Sequence, residues 1–174
     1  IIGDASRLAF ADRGKYIADS DFVDVPIDKL IDKKYLKFRS NKLETKMKIP
    51  EIKPGSILHK ETSSYIYANS LELQSTTHIS IVDKYGNALS MTSTIESSFG
   101  SRLMTNGGFL LNTELTDFSF QKEKKGKRVA NNIEPNKRPR SSMAPTIIFK
   151  NNKPLFIIGS PGGSNIIGYV VNSI

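Results

Sequence analysis

The chain has no cysteine, only two histidines and no long apolar run, and each shortage closes off a class of chemistry. Without cysteine there is no disulfide framework, no CxxC redox site, no thiolate zinc site and no cysteine nucleophile, although the compartment stays open. His59 and His78 are too few for a multi-histidine metal centre. No stretch approaches the roughly 20 apolar residues of a membrane span. The chain opens at Ile1 with neither Met nor a signal-peptide pattern, which reads as something lost upstream. Aromatic residues are sparse where positive charge gathers, in the stretches 29–53 and 122–140. The net charge of +8 makes nucleic acid a first thought, but base-stacking platforms are missing. Both stretches are expected to be solvated loops and helix faces, with no nucleic-acid partner.

What is present suits a globular protein: 174 residues at 38% apolar content can bury a real core. The first third, LAFADRGKYIADSDFV and then VPIDKLIDKKYLKFRSNKLETK, reads as helical, with Leu30, Ile31 and Tyr35 at helical spacing and Pro26 near a helix start. From Pro50 on, two prolines (Pro50 and Pro54), a glycine and several hydroxyl residues predict an exposed irregular linker with one short strand at SYIYA. From Thr76 the pattern becomes β. THISIVD and ALSMTSTI alternate around Lys84-Tyr85-Gly86-Asn87, a hairpin, and a second hairpin is expected around Lys150–Lys153. GGFLLNTEL is a further strand or turn, SNIIGYVVNSI begins like a helix, and 120–137 reads as a polar loop able to cover a site or move freely.

Thr76 and Thr77 open the first strand, where threonine is common simply as a β-former. A threonine hydroxyl becomes a nucleophile only when a base takes its proton. Were the chain cut between Ser75 and Thr76, the new α-amine, with a reference pKa of about 8, could act as that base. The cut could be made by Thr76 itself, its hydroxyl attacking the Ser75 carbonyl to give an ester that water opens.

Four ordered motifs, TTHISIVDKYGNALSMTSTIESSFGS, LLNTELTDFS, PNKRPRSSMAPTI and GSPGGS, together with ADRGKYIADSDFVDVP, resemble the γ-glutamyltransferase (γ-glutamyltranspeptidase) family of N-terminal-nucleophile hydrolases. The resemblance implies an α+β fold, part of a four-layer αββα sandwich with mainly antiparallel sheets. It implies that 1–75 is the tail of a large subunit and 76–174 the front of a small catalytic one, with self-cleavage at the Ser75-Thr76 junction. In that reading Thr76 is the nucleophile, Thr94 supports it, and Gly162 and Gly163 supply the amides of an oxyanion hole. Ser141 and Ser142 hold a donor α-carboxylate; Glu114 and Asp117 receive its α-ammonium.

The substrate would be glutathione or another γ-glutamyl amide, the acceptor water, an amino acid or a peptide, and the remaining partners the rest of both subunits. No metal or organic cofactor is implied, and bacterial members are usually periplasmic or secreted. The sequence departs from the family at Glu96, usually an asparagine touching the glutamyl group. A carboxylate there keeps an acceptor for the ammonium and drops the amide donor. The 120–137 loop is short and holds no tyrosine to assign as a gate. The family's carboxylate-clamping arginine would lie before Ile1, so this piece alone is expected to lack activity. Three rivals stand beside this reading: a cephalosporin-type acylase or poly-γ-glutamate processing enzyme on the same fold, a non-catalytic remnant, and the nucleic-acid binder.

Overall fold

Helix α1 (Ile2–Tyr16) turns one face inward, with Asp4, Leu8, Ala11, Asp12 and Tyr16 buried at helical spacing. The structure, a computed structural model, describes residues 1–43, 47–57, 64–68 and 75–174. His59 and the linker stretches 58–63 and 69–74 lie outside these. The chain forms two compact units, Ile1–Ser70 with Phe118–Arg140, and Leu71–Asp117 with Ser141–Ile174. It is an α+β protein with short antiparallel sheets.

In the first unit, the two aspartates on the buried face of α1 hold irregular chain. Asp4 accepts from Arg7 at 2.7 Å and from the Ile49 amide at 3.1 Å. Asp12 accepts from the Gly55 amide at 2.6 Å, Arg39 at 3.0 Å and the Tyr35 hydroxyl at 2.8 Å. Tyr16 donates to the Gly55 carbonyl at 2.6 Å. The segment after Pro50 is therefore irregular as expected but not exposed throughout: Gly55, Ile57, Tyr65 and Ala68 are buried. Carboxylates that bind backbone N–H groups let a chain without secondary structure leave water, because its polar groups are satisfied. Tyr65 makes a single parallel bridge to Arg128 in place of the short strand predicted at SYIYA.

The second helical stretch divides into α2 (Ile27–Leu30) and α3 (Lys33–Ser40). Asp32 causes the break, its carboxylate capping α3 through the amides of Lys34 at 2.9 Å and Tyr35 at 3.0 Å. Ile31, expected on an apolar face, closes α2 and is exposed.

The 120–137 segment opens with a small ribbon, β3 (Glu123–Lys124) and β4 (Lys127–Arg128), and its second half is stitched into this unit. Val129 and Ala130 are buried, and the Lys137 ammonium donates to the Ala130 carbonyl at 2.8 Å and to Glu134 at 2.9 Å. Val23, Tyr65 and Ala130 form a core cluster with Ala18, Phe22 and Val25 against it. Residues 120–127, by contrast, are exposed. Arg39, Lys137 and Arg140, counted above among solvated charges, are buried.

The second unit is built from two hairpins. Strands β1 (Thr76–Val82) and β2 (Ala88–Thr94) pair in register from Thr76↔Thr94 to Val82↔Ala88. Asp83 locks the turn by accepting from the Tyr85 and Asn87 amides and the Asn87 side chain, at 2.9, 2.8 and 2.7 Å. Strands β5 (Thr146–Lys150) and β6 (Lys153–Ile158) meet at Asn151 and Asn152, both at positive φ, the backbone a tight two-residue hairpin loop requires. Ser80 and Ser90 of the first hairpin donate to the Ile157 and Ile158 carbonyls of β6, at 3.2 and 3.1 Å. Its polar face thus meets β6, while Ile79, Ile81, Leu89 and Met91 on the other face are exposed. GGFLLNTEL yields a bridge, Met104↔Leu110, and a 3-10 turn Glu114–Asp117; the last segment forms α4 (Ile166–Ser173).

Candidate active site

The register of the first hairpin sets the first residue of β1 opposite the last of β2, so two threonine hydroxyls meet at its mouth. Thr76 Oγ1 donates to Thr94 Oγ1 at 3.1 Å. Thr94 Oγ1 in turn donates to the Ser75 carbonyl at 3.2 Å and accepts from the Glu96 amide at 3.0 Å. A hydroxyl has one proton and a carbonyl can only accept, so the Ser75 carbonyl fixes the direction of the chain: from Thr76, through Thr94, to the oxygen of the bond in front of Thr76.

Beyond Thr94 the backbone turns sharply. Glu96 has φ +70° and sits in a three-residue turn closed by the Ser97 amide on the Ile95 carbonyl at 3.0 Å. For a residue with a side chain this conformation is strained, costing about 1–3 kcal/mol. It sends the Glu96 side chain inward, leaving the residue 3% exposed. The Ile95 carbonyl also accepts from the Thr113 amide at 3.1 Å and hydroxyl at 3.3 Å. That contact brings the Glu114–Asp117 turn alongside, and Asn112 caps it by accepting from the Glu114 amide at 3.1 Å.

Carboxylate oxygens of Glu96, Glu114 and Asp117 consequently lie within 4.8 Å of one another. Burial pushes the Glu114 carboxyl up from its ordinary value, the Glu96 charge pushes it further, and its hydrogen bond with Asp117 offsets part of this. Such a trio attracts a cation. Its oxygens would suit a hard metal ion or an organic ammonium alike.

One cleft collects the hydroxyls, the acids and the glycine turn. Thr76, Thr94, Glu96 and Asp117 line it together with Ser141 and Ser142, and Met143, Gly163 and Ile166 complete the wall. Its free space is about 10 Å³, about that of one water. Ser142 is buried, while Ser141 is exposed and accepts from the Met143 amide at 3.1 Å. Gly162 and Gly163 have φ of +136° and +56° and lead through a 3-10 turn into α4. A Cβ at Gly162 would come within 2.7 Å of the Tyr169 ring, so both backbone and space require glycine there.

Of the residues expected at a site, Gly162 stands one residue behind the wall and Glu114 joins through the acid trio; the others meet around the cleft or, for Ser75, through its carbonyl. Sequence reasoning missed Met143, Ile166 and the hydroxyl–imidazole row beside the threonines on β1 and β2. The period of two along those strands was the available signal for the row. A separate apolar hollow of about 430 Å³ lies in the first unit among α1, α3 and Leu43, and it includes none of these groups.

The Gamma-glutamyltranspeptidase family model matches residues 1–174. Over 181 residues and the whole of this chain, the sequence is 38% identical to the glutathione hydrolase proenzyme of Bacillus subtilis (strain 168), covering 30% of that protein. Against the glutathione hydrolase proenzyme of Escherichia coli (strain K12) it is 39% identical over 186 residues, again covering all of this chain and 30% of the relative. The capsule biosynthesis protein CapD proenzyme of Bacillus anthracis is 33% identical over 92% of the chain and 25% of its own length. The chain is a member of the gamma-glutamyltranspeptidase family. It spans about 30% of the length of the glutathione hydrolase proenzymes it matches.

Proposed function

We propose that the protein containing this chain is a γ-glutamyltransferase and glutathione hydrolase that cleaves itself before Thr76. The observation that carries the reading is the directed row of hydrogen bonds from Thr76 through Thr94 to the Ser75 carbonyl, set beside a buried acid trio. In maturation the Thr76 oxygen attacks the Ser75 carbonyl carbon. Its proton passes by way of Thr94, the C–N bond breaks with the proton going to the Thr76 nitrogen, and an ester forms. Water opens the ester to a Ser75 carboxylate and a free Thr76 amine. Residues 1–75 then end the large subunit and 76–174 begin the small one, within the four-layer sandwich of the N-terminal-nucleophile hydrolases.

In turnover the new amine takes the Thr76 hydroxyl proton and the oxygen attacks the γ-carbonyl of glutathione or a similar amide. The Gly162 and Gly163 amides receive the developing oxyanion, and Thr94 keeps the nucleophile oriented. The leaving amine departs with the proton, and the threonyl ester passes its glutamyl group to water, an amino acid or a peptide. Glu96, Glu114 and Asp117 face the donor ammonium, and Ser141 and Ser142 the α-carboxylate. These steps use no cofactor. A periplasmic or secreted setting, and dependence on the rest of both subunits, follow from the family reading.

The test is intact-mass analysis of the full-length protein together with γ-glutamyl anilide hydrolysis. Two pieces meeting at Thr76 are expected, and Thr76→Ala should abolish both cleavage and turnover. A Thr76→Ala protein that still splits at this bond, or a preference for glutaryl over γ-glutamyl amides, refutes the assignment.

A further inference from the structure

His78 lies on the same face of the first hairpin as Thr76, two residues further along β1, in register with Thr92. Both its ring nitrogens are engaged: Nδ1 with Thr92 Oγ1 at 2.8 Å and Nε2 with Ser80 Oγ at 3.0 Å. Ser80 spends its one proton on the Ile157 carbonyl and so accepts from Nε2–H, which leaves Nδ1 to accept from the Thr92 hydroxyl: one tautomer is held at both ends of the ring. Against this ring runs the backbone that leaves β6. Gly159 is the first residue after that strand, and a Cβ added to it would fall on the His78 ring. The absence of a side chain is what admits the imidazole. Behind it, Ser80 and Ser90 fix the two preceding carbonyls of β6. From Gly159 only Ser160 and Pro161 intervene before Gly162 and Gly163.

We infer that His78 is a positioning residue, a clamped planar spacer between β1 and Gly159 that sets the distance from the Thr76 hydroxyl to the Gly162–Gly163 amides. The inference rests on reading those amides as the oxyanion hole. Three contacts fix the end of β6 against the first hairpin, at Ile157, Ile158 and Gly159, and the ring is the last before the glycine turn. Without it the Gly159–Gly163 stretch can settle toward β1. An oxyanion donor displaced by about 1 Å costs on the order of a hundredfold in rate. The groups proposed to hold the donor, Glu96, Glu114, Asp117, Ser141 and Ser142, lie on other segments and keep their places.

The experiment uses the full-length protein and γ-glutamyl-p-nitroanilide, with kcat, KM and thermal melting measured on the same preparations. His78→Ala is expected to lower kcat about a hundredfold with KM within about threefold of wild type. Gly159→Ala, which expels the ring, should do the same, and the double variant should be little worse than either single one. His78→Phe restores a ring of similar thickness without the hydrogen bonds and should recover most of kcat. A rise in KM at unchanged kcat, multiplying effects of the two alanine variants, or a Phe variant no better than Ala overturns the spacer role. Wild-type protein without Thr76-dependent turnover overturns the functional reading, and this assignment with it.

Discussion

Replacing Thr94 by valine tests the hydroxyl row at its centre, because the shape is nearly kept and only the oxygen is lost. Three groups lose a partner at once: the Thr76 hydroxyl its acceptor, the Ser75 carbonyl its donor, and the Glu96 amide its acceptor. Glu96 is 3% exposed, so water cannot readily replace the lost bond, and an unsatisfied buried N–H costs about 1–3 kcal/mol. Part of that loss can be recovered if the strained Glu96 turn relaxes. The effect on reaction is larger, since the carbonyl under attack is no longer polarised. Loss of one preorganised donor of this kind lowers rates by about 10²–10³, or roughly 3–4 kcal/mol of barrier. The assay is a time course of self-cleavage in the full-length precursor by intact mass, with melting on the same samples. Thr94→Ser, which keeps the oxygen, should cleave within about tenfold of wild type, and Thr94→Val should remain a single piece long after wild type has divided. Equal cleavage rates in Val and wild type would show that the row of hydrogen bonds has no part in the chemistry.

Glu96→Gln removes one charge from the acid trio, and the repulsion it relieves at 4.8 Å is about 1 kcal/mol in water and about 3.5 kcal/mol at an effective dielectric of 20. Because the folded Glu114 carboxyl is raised above its ordinary 4.5, native protein holds a proton there that unfolded chain has released, so stability declines as pH rises through that window. The variant should show a shallower decline in melting temperature from pH 4.5 to 8; identical slopes would exclude coupling between the two acids. Asp19 presents the opposite case: Arg138 donates to it from its amide at 2.8 Å and its guanidinium at 3.0 and 2.6 Å, holding the carboxyl far below its ordinary 3.8. Its contribution is complete above that value and fades as pH falls below it, so the melting difference between wild type and Asp19→Asn should narrow on acidification, and a constant gap would refute the pairing.

How far these residues could be read in advance depends on whether the cause is local. Alternation and turn chemistry act over a few residues, so both hairpins, including the one that turns at Asn151-Asn152, were legible, while the link between Thr76 and Thr94 came from the motif resemblance. The break at Asp32 has an equally local cause, a side chain capping the amides two and three residues on, and it was missed because apolar spacing was read through it. Burial of the chain near Gly55 is different in kind. It depends on Asp12 reaching a backbone amide 43 residues away, and composition alone makes such a segment look solvated. Motif resemblance supplied what spacing could not: it singled out Glu96, Glu114, Asp117, Ser141 and Ser142 as residues around a donor. Of these Glu96, Asp117 and Ser142 are buried, and the cleft they share lies beside a strained backbone turn at Glu96 that no propensity scale anticipates. A strained, buried acid next to two others is hard to justify by stability, since every term except hydrogen bonding opposes it. That conflict is itself the reason to look for function there, and it would stand had the motifs gone unrecognised.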